Sequence, residues 1–268
     1  MRAIRDYATG KPPMRIVVIG GTGLVGRQVV ALLAARGHEA IAASRATGVD
    51  IVTGVGLHEV LRGAQVVIDA SNSEAPYGES SYAFFSAGAR HLLAAEAQAG
   101  VRHHVSISVV GTDRLRSSPY FRGKAAAEDM IRASGVPYTI LHATQFYEFL
   151  LAIIEASGVA AQALRLSPAY IQPVASRDVA EALAQIACGR PLNATVELAG
   201  PERERLSVIV KRFLEDIESP YEVVVDAAEP YFGAVLEESS LVPCAAAQTC
   251  TVGFATWLHE SEYARAHW

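Results

Sequence analysis

Cysteine is scarce in this 268-residue chain, and the three present, Cys188, Cys244 and Cys250, form no CxxC pair. An odd count at those spacings excludes a disulfide framework and a zinc knuckle, and it fits a reducing compartment. An excess of positive charge is lacking too. Lys plus Arg number 23 against 28 Asp plus Glu, a net charge of -5, so no basic field exists to draw a phosphodiester backbone, and nucleic acid is not an expected partner. Charged residues make up only 19% of the chain and hydrophobic ones 51%, which excludes general disorder and suits a compact α/β enzyme. The most apolar stretch, residues 146–164, is interrupted by Glu148 and Glu155, which are costly in hydrocarbon, so no membrane span is expected. Residues 1–13 carry Arg2, Arg5, Asp6 and Lys11 without the apolar core of a secretory signal, and they read as a loose extension before Met14. A soluble, cytoplasmic protein is the expectation. His103 and His104 are neighbours on a strand and point to opposite faces, and no His or carboxylate cluster completes a coordination set, so no metal is expected.

What the sequence has is alternation. Apolar runs of four to six residues alternate with longer Ala-rich segments of helical period, the pattern of βαβ units in a parallel sheet. The spacing predicts strands over 15–19, 40–44, 66–70, 105–109 and 138–141, with helices over 24–36, 80–99 and 119–134. After about Ala143 the rhythm changes to a helical stretch through Ser157, a Pro-bounded segment 168–173, a helix over 177–188 and shorter mixed elements, read together as a smaller lobe. The expected fold class is therefore α/β, a Rossmann doubly wound parallel sheet. It forms one domain over 14–268, with C-terminal cap elements for substrate from about residue 144.

Gly20, Gly23 and Gly26 form a GxxGxxG turn between the first strand and its helix. Their missing side chains permit a tight turn, close approach of a pyrophosphate and intimate helix packing, with the helix N-terminus facing the anion. Thr22, Leu24 and Val25 belong to the same turn. The second strand ends at Ala42-Ala43-Ser44-Arg45, where most NAD sites place a carboxylate for the ribose hydroxyls. An arginine there pairs with a 2′-phosphate, and the absent carboxylate removes the repulsion that normally excludes one. Ser44 and Arg45 thus favour NADP(H) over NAD(H), the alternative being a solvated Arg45; Asp50 lies too far along to settle the matter.

Lysine is equally scarce. With Lys11, Lys124 and Lys211 as the only lysines against ten tyrosines, a chance Tyr-x-x-x-Lys is expected roughly 0.1 times. Tyr120 and Lys124 supply one, on a helix that Ser118 and Pro119 begin as N-cap and first helical residue and that Gly135 and Pro137 end. On one helix face the ammonium can lower the phenol's pKa and make a general acid/base pair; alternatively Lys124 pairs with Glu128 while Tyr120 packs on the core. Upstream, Ser106 and Ser108 share one face of their strand. Ser108 lies nearer the C-terminal end, where ligands gather, and is the better candidate to hold a substrate carbonyl oxygen. Phe84, Phe85, Leu92 and Leu93 are assigned to packing.

The segments Gly20-Gly21-Thr22-Gly23-Leu24-Val25-Gly26, Ser106-Ile107-Ser108-Val109-Val110-Gly111 and Tyr120-x-x-x-Lys124 together resemble the short-chain dehydrogenase/reductase superfamily, most nearly its atypical NmrA-like branch. Residues 100–105, 143–149 and 177–180 are similar to that branch as well, so the resemblance runs from about Met14 to Trp257. It implies Tyr120 as acid/base, Lys124 as the residue that tunes it and binds the nicotinamide ribose, and Ser108 as the group orienting the reacting carbonyl. It further implies that Asp69, Ala70 and Ser71 line the adenosine side and that His142, Gln145 and Phe146 lie beside the nicotinamide and substrate. An arginine often takes the place of His142 in that branch, and some of its members lack a working tyrosine and bind NADP(H) as regulators. The expected function is an NADP(H)-dependent oxidoreductase acting on a small, uncharged organic carbonyl or alcohol. The alternatives are a non-catalytic NADP(H)-binding redox sensor and an isomerase that recycles its nucleotide. The tail with Trp257, Leu258 and Trp268 docks on the parent lobe or a neighbouring subunit, and the oligomeric state stays open.

Overall fold

Short apolar runs, richest in β-branched residues at β1 and β3, build the central layer of the computed structural model, which describes residues 12–74, 78–157, 159–160 and 163–261. The expected extension falls outside the described residues except for Pro12 and Pro13, and so does Trp268. Strand β1 (Arg15–Ile19) turns into α1 (Leu24–Ala35) and returns as β2 (Glu39–Ala43). A 3₁₀ turn (Arg45–Thr47) and a short α2 (Leu57–Val60) lead to β3 (Val66–Asp69), followed by α3 (Glu79–Ala99), β4 (His103–Val109), α4 (Pro119–Ala133) and β5 (Tyr138–Ala143). Beyond a second 3₁₀ turn (Tyr147–Phe149) come α5 (Leu150–Ala156), β6 (Val159–Ala160), β7 (Ala163–Leu166), β8 (Tyr170–Ile171), α6 (Ser176–Ala187) and β9 (Ala194–Ala199). The chain then continues through β10 (Glu204–Arg205), α7 (Leu206–Asp216), β11 (Glu222–Val225), β12 (Gln248–Thr249) and α8 (Phe254–Glu260).

Seven strands pair in the order β12-β9-β5-β4-β3-β1-β2, every pair parallel, so the expected Rossmann-like α/β fold is present. After β1 the chain steps to one side for β2 and then crosses back to the other side for β3. That reversal opens a crevice beyond the carboxyl end of β1, where doubly wound folds hold ligands. Alternate residues of β1 feed opposite faces: Ile16 and Val18 pack with Val29 and Leu33 of α1 and Leu183 of α6, whereas Val17 and Ile19 pack with Leu57, Leu61 and Leu92. Each such fully buried side chain contributes roughly 1.5–3 kcal/mol relative to exposure, so the sheet is held from both sides.

The length after Ala143 is divided between two bodies of structure. Strands β9 and β12 extend the central sheet and α6 packs with α1, while α5, α7, α8 and two small sheets, β10-β8 and β11-β7-β6, form the lobe. Trp257 of α8 stacks on Tyr147, ring centroids 5.2 Å apart, and also meets Phe213 and Phe254, so this part of the tail docks on its own lobe. Among the described residues no helix is long and apolar enough to cross a membrane.

Candidate functional site

The first turn is made by glycines that backbone crowding requires. Gly20 has φ +71, and a Cβ there would stand 2.7 Å from the Ala70 carbonyl oxygen. A Cβ on Gly26 would stand 2.1 Å from the Gly20 oxygen, so Gly26 acts by letting α1 close on the turn rather than by lining the space above it. That space is a cleft of about 900 Å³. Thr22, Gly23, Leu24 and Val25 border it from the turn, Ser44 and Arg45 from the end of β2, and Ala70 and Ser71 from the end of β3. Asp69 does not reach it; its Oδ1 accepts the Ser71 amide at 3.0 Å and shapes the loop instead. Arg45 sits at the mouth, exposed, and pairs with Glu74. Asp50 corrects an expectation. The Val49 amide donates to the Ser44 oxygen at 2.9 Å, which folds the chain back and brings Asp50 onto the cleft wall.

Helix α4 carries the tyrosine and lysine to the same cleft. Ser118 occupies the N-cap position, but its hydroxyl is buried without a hydrogen-bond partner, so Pro119 rather than a side-chain cap sets the helix start. Tyr120 donates its hydroxyl to Asn72 Oδ1 at 3.1 Å, with its ring edge-on to Phe85. Lys124 donates to the Ile107 carbonyl at 3.3 Å and lies 4.4 Å above the Phe85 ring. Phe85, expected only to pack, therefore contacts both members of the pair. The expected lowering of the phenol pKa is absent: burial pushes the Tyr120 phenol above its ordinary value, and Lys124 makes no bond to it. Burial also lowers the Lys124 ammonium to about 8, although Asp69 and Glu128 pull it the other way.

Ser108 borders the cleft as well, yet its hydroxyl donates to Glu128 Oε1 at 2.6 Å. The same oxygen accepts from His142 Nε2 at 2.8 Å, and Oε2 accepts from Arg132 at 2.7 Å. Burial alone would raise Glu128, but the bonds from His142, Ser108 and Arg132 outweigh it and hold the carboxyl below its usual range. His142 does not stand beside the nucleotide crevice. Strand β5 runs on to Ala143, so alternation turns His142 toward α4, where it borders a second cavity of about 590 Å³ together with Thr112, Arg114 and Glu197. Gln145 and Phe146 do border the cleft. Gln145 is 6% exposed and neither atom of its amide has a partner, a deficit of roughly 1–3 kcal/mol that a bound ligand can relieve.

The lobe covers the far end with the tight turn 231–234, closed by Tyr231 N to Ala234 O at 2.7 Å and the return bond at 3.0 Å. Phe232 tilts over Tyr120 and Tyr231 over Phe121, each pair 6.4 Å between centroids. Elsewhere His104 Nδ1 meets Glu96 Oε1 at 2.8 Å in the core, while His103 bonds Thr139. Among the described residues no group of three His, Cys, Asp or Glu could hold a metal ion.

A family model described as NAD(P)H-binding matches residues 20–187. The chain is 31% identical over 144 residues to a (4-alkanoyl-5-oxo-2,5-dihydrofuran-3-yl)methyl phosphate reductase of Streptomyces griseus, covering 49% of this chain and 48% of that protein. It is 28% identical over 152 residues to the photosystem II assembly factor Ycf39 of Synechocystis, covering 52% and 47%. The chain spans about half the length of the curated relatives it matches. Among solved structures it is similar to the DesIV double mutant, a dTDP-glucose 4,6-dehydratase from Streptomyces venezuelae with NAD and DAU bound, at TM-score 0.70 and 17% identity over 95% of this chain and 98% of that one. It is also similar to dTDP-4-dehydrorhamnose reductase of Bacillus anthracis in complex with NADP, at TM-score 0.63 and 14% identity over 80% and 85%. At these identities the shared property is the fold.

Proposed function

The chain belongs to the NAD(P)H-binding family, and from that premise we propose that it is an NADP(H)-dependent oxidoreductase of the short-chain dehydrogenase/reductase, NmrA-like type. Its substrate is a small organic carbonyl or the corresponding alcohol. The observation that carries this reading is the meeting of the glycine turn, Tyr120, Lys124 and Ser108 around one cleft. The residues present fit a dinucleotide: the turn leaves no room for a Cβ at Gly20 or Gly26, and Gln145, whose buried amide has no partner, borders the same space. Gly20 to Gly23 and the N-terminus of α1 hold the pyrophosphate, Ser44 and Arg45 the 2′-phosphate, and Lys124 the nicotinamide ribose. When bound, the cofactor supplies or takes up the hydride. Tyr120 keeps its proton at neutral pH because burial disfavours the phenolate, so in the reducing direction it acts as donor to the substrate oxygen. The Streptomyces griseus reductase relative agrees with this direction.

A second reading, an NADP(H)-binding sensor without turnover, is favoured by one observation: the Ser108 hydroxyl is committed to Glu128. NADPH oxidation over a panel of aldehydes, ketones and quinones separates the two. The oxidoreductase turns over at least one compound, and Tyr120→Phe lowers that rate by roughly 10² to 10⁴ with cofactor affinity kept. Inactivity across the panel, with NADP⁺ and NADPH bound at clearly different affinities, selects the sensor.

A further inference from the structure

Tyr120 has one hydrogen to give, and at rest that hydrogen is already taken. The hydroxyl donates to Asn72 Oδ1 at 3.1 Å, the one hydrogen-bond partner of the phenol among the described residues. The ring itself is held on three sides, edge-on to Phe85 and to Phe121 at 5.4 Å and beneath Phe232 at 6.4 Å between centroids. Reduction by Tyr120 therefore requires the hydrogen to leave Asn72 while the ring stays where it is. What can change is the torsion of the phenolic hydroxyl and the side chain of Asn72.

Asn72 lies exposed in the loop after β3 and borders the cleft with Tyr120. The loop is tied on either side of it, by the Ser71 amide to Asp69 Oδ1 at 3.0 Å and by Glu74 to Arg45, so the backbone is held while the carboxamide can turn. Among the described residues its Nδ2 has no partner. A carboxamide both accepts and donates, and its terminal torsion is broad and nearly two-fold, so a half turn about Cβ–Cγ brings Nδ2 to the place of Oδ1. Such a donor is what the phenol oxygen lacks once its hydrogen has gone. Burial disfavours the phenolate, the hydrogen bond with Asn72 acts against burial, and Lys124 is occupied by the Ile107 carbonyl and the face of Phe85. A hydrogen bond to a charged oxygen is roughly twice as strong as one to a neutral oxygen, so the turned carboxamide favours the state that follows proton transfer.

We propose that Asn72 is the positioning residue for Tyr120: its carboxamide oxygen holds the phenol hydrogen at rest, and its Nδ2–H bonds the phenol oxygen when that hydrogen passes to substrate. The role rests on the oxidoreductase reading above and uses the same single proton. When a carbonyl enters the cleft, the Tyr120 hydroxyl turns from Asn72 Oδ1 to the substrate oxygen, and Asn72 turns Nδ2 toward the phenol oxygen. As the carbonyl carbon gains hydride, the Tyr120 O–H bond breaks, a new O–H bond forms on the substrate oxygen, and a phenolate is left with Asn72 as its donor. Water then returns a proton to the phenolate, and the carboxamide turns back. Of the side chains of this size, leucine does neither task and aspartate only accepts.

The experiment uses the full chain with a difluorinated tyrosine at position 120, whose more acidic phenol is titrated by fluorine NMR in cofactor-free protein. Asn72→Leu lowers the acid dissociation constant of that phenol about tenfold, because the phenolate loses its donor. If Asn72 did no more than accept the phenol hydrogen, the same change would raise the constant, so the sign decides. In turnover with NADPH and a carbonyl compound from the panel, Asn72→Leu lowers kcat by about 10 to 10² with KM little changed, and Asn72→Gln, which keeps a carboxamide, retains most of the rate. The difluorinated tyrosine recovers part of the rate lost in Asn72→Leu, which a role in shaping the loop does not explain. A constant that rises or stays, an unchanged kcat in Asn72→Leu, or a loss that the acidic phenol leaves unrepaired overturns the role of Asn72 and leaves the oxidoreductase reading standing. A wild-type protein that reduces nothing in the panel overturns both.

Discussion

Rising pH should relieve one cost built into this fold, the burial of the Lys124 ammonium. The side chain is 7% exposed, and its ammonium has the Ile107 carbonyl at 3.3 Å and the face of Phe85 at 4.4 Å in place of water. Burial therefore depresses its pKa from 10.5 to about 8. Between those two values the unfolded chain holds a proton that the folded chain has released, so stability rises with pH across the window and is flat on either side of it. The full penalty is present below pH 8, and its removal by pH 10.5 is worth about 3 kcal/mol. Urea unfolding of the wild type and of Lys124→Met at intervals from pH 7 to 10.5 measures it, because every other titrating group cancels in the difference. Wild-type stability should climb toward that of the methionine variant by about 3 kcal/mol, with most of the change above pH 8. A difference that stays constant over the whole range would refute the burial argument.

Other perturbations probe other parts of the molecule. Gly26→Ala forces a methyl to within 2.1 Å of the Gly20 oxygen, so the turn must move by more than about 1 Å; NADPH titration should show binding lost while circular dichroism shows the sheet retained. Arg45→Ala should weaken NADPH roughly tenfold and NADH little, and Glu74→Gln, which frees the arginine from its partner, should shift preference the opposite way; equal effects on both nucleotides would retire the 2′-phosphate contact. Trp257→Ala removes a ring held between Tyr147 and Phe213 and should cost roughly 3–5 kcal/mol in chemical denaturation, a value near zero showing that α8 does not hold the lobe together.

How far the sequence reveals this arrangement depends on how local each cause is. The glycine turn was readable because its constraint is short-range: three positions within seven residues, each crowded by backbone of the same turn or the adjoining loop. The five strands from β1 to β5 were readable from apolar runs for the same reason. The direction of His142 was not, because the expected strand ended at Leu141, and two further strand residues decide which side of the sheet the imidazole takes. Asp50 lies too far along the sequence to be assigned to the site, because linear distance does not express the bond between the Val49 amide and Ser44 that reverses the chain within a few residues. Strand β9 and helix α6 cannot be told from the lobe in the sequence, since a chain passing repeatedly between two bodies of structure has no single period. Glu128 appeared only as a possible partner of Lys124. Its bonds to Ser108 and His142 come from two other elements, and no spacing along α4 contains them.

The turn at 231–234 satisfies its own backbone through a reciprocal pair of hydrogen bonds and leans on the α4 aromatics through two rings. Phe232 and Gly233 both take left-handed backbone, φ +48 and +85, so the bend is fixed by its own backbone and its two anchoring rings together, at the end of the cleft away from the glycine turn. Under the function proposed above, exchanging one ring for another at positions 231 and 232 alters the wall over Tyr120 before it alters the glycine turn, making this short bend the natural place for selectivity to drift.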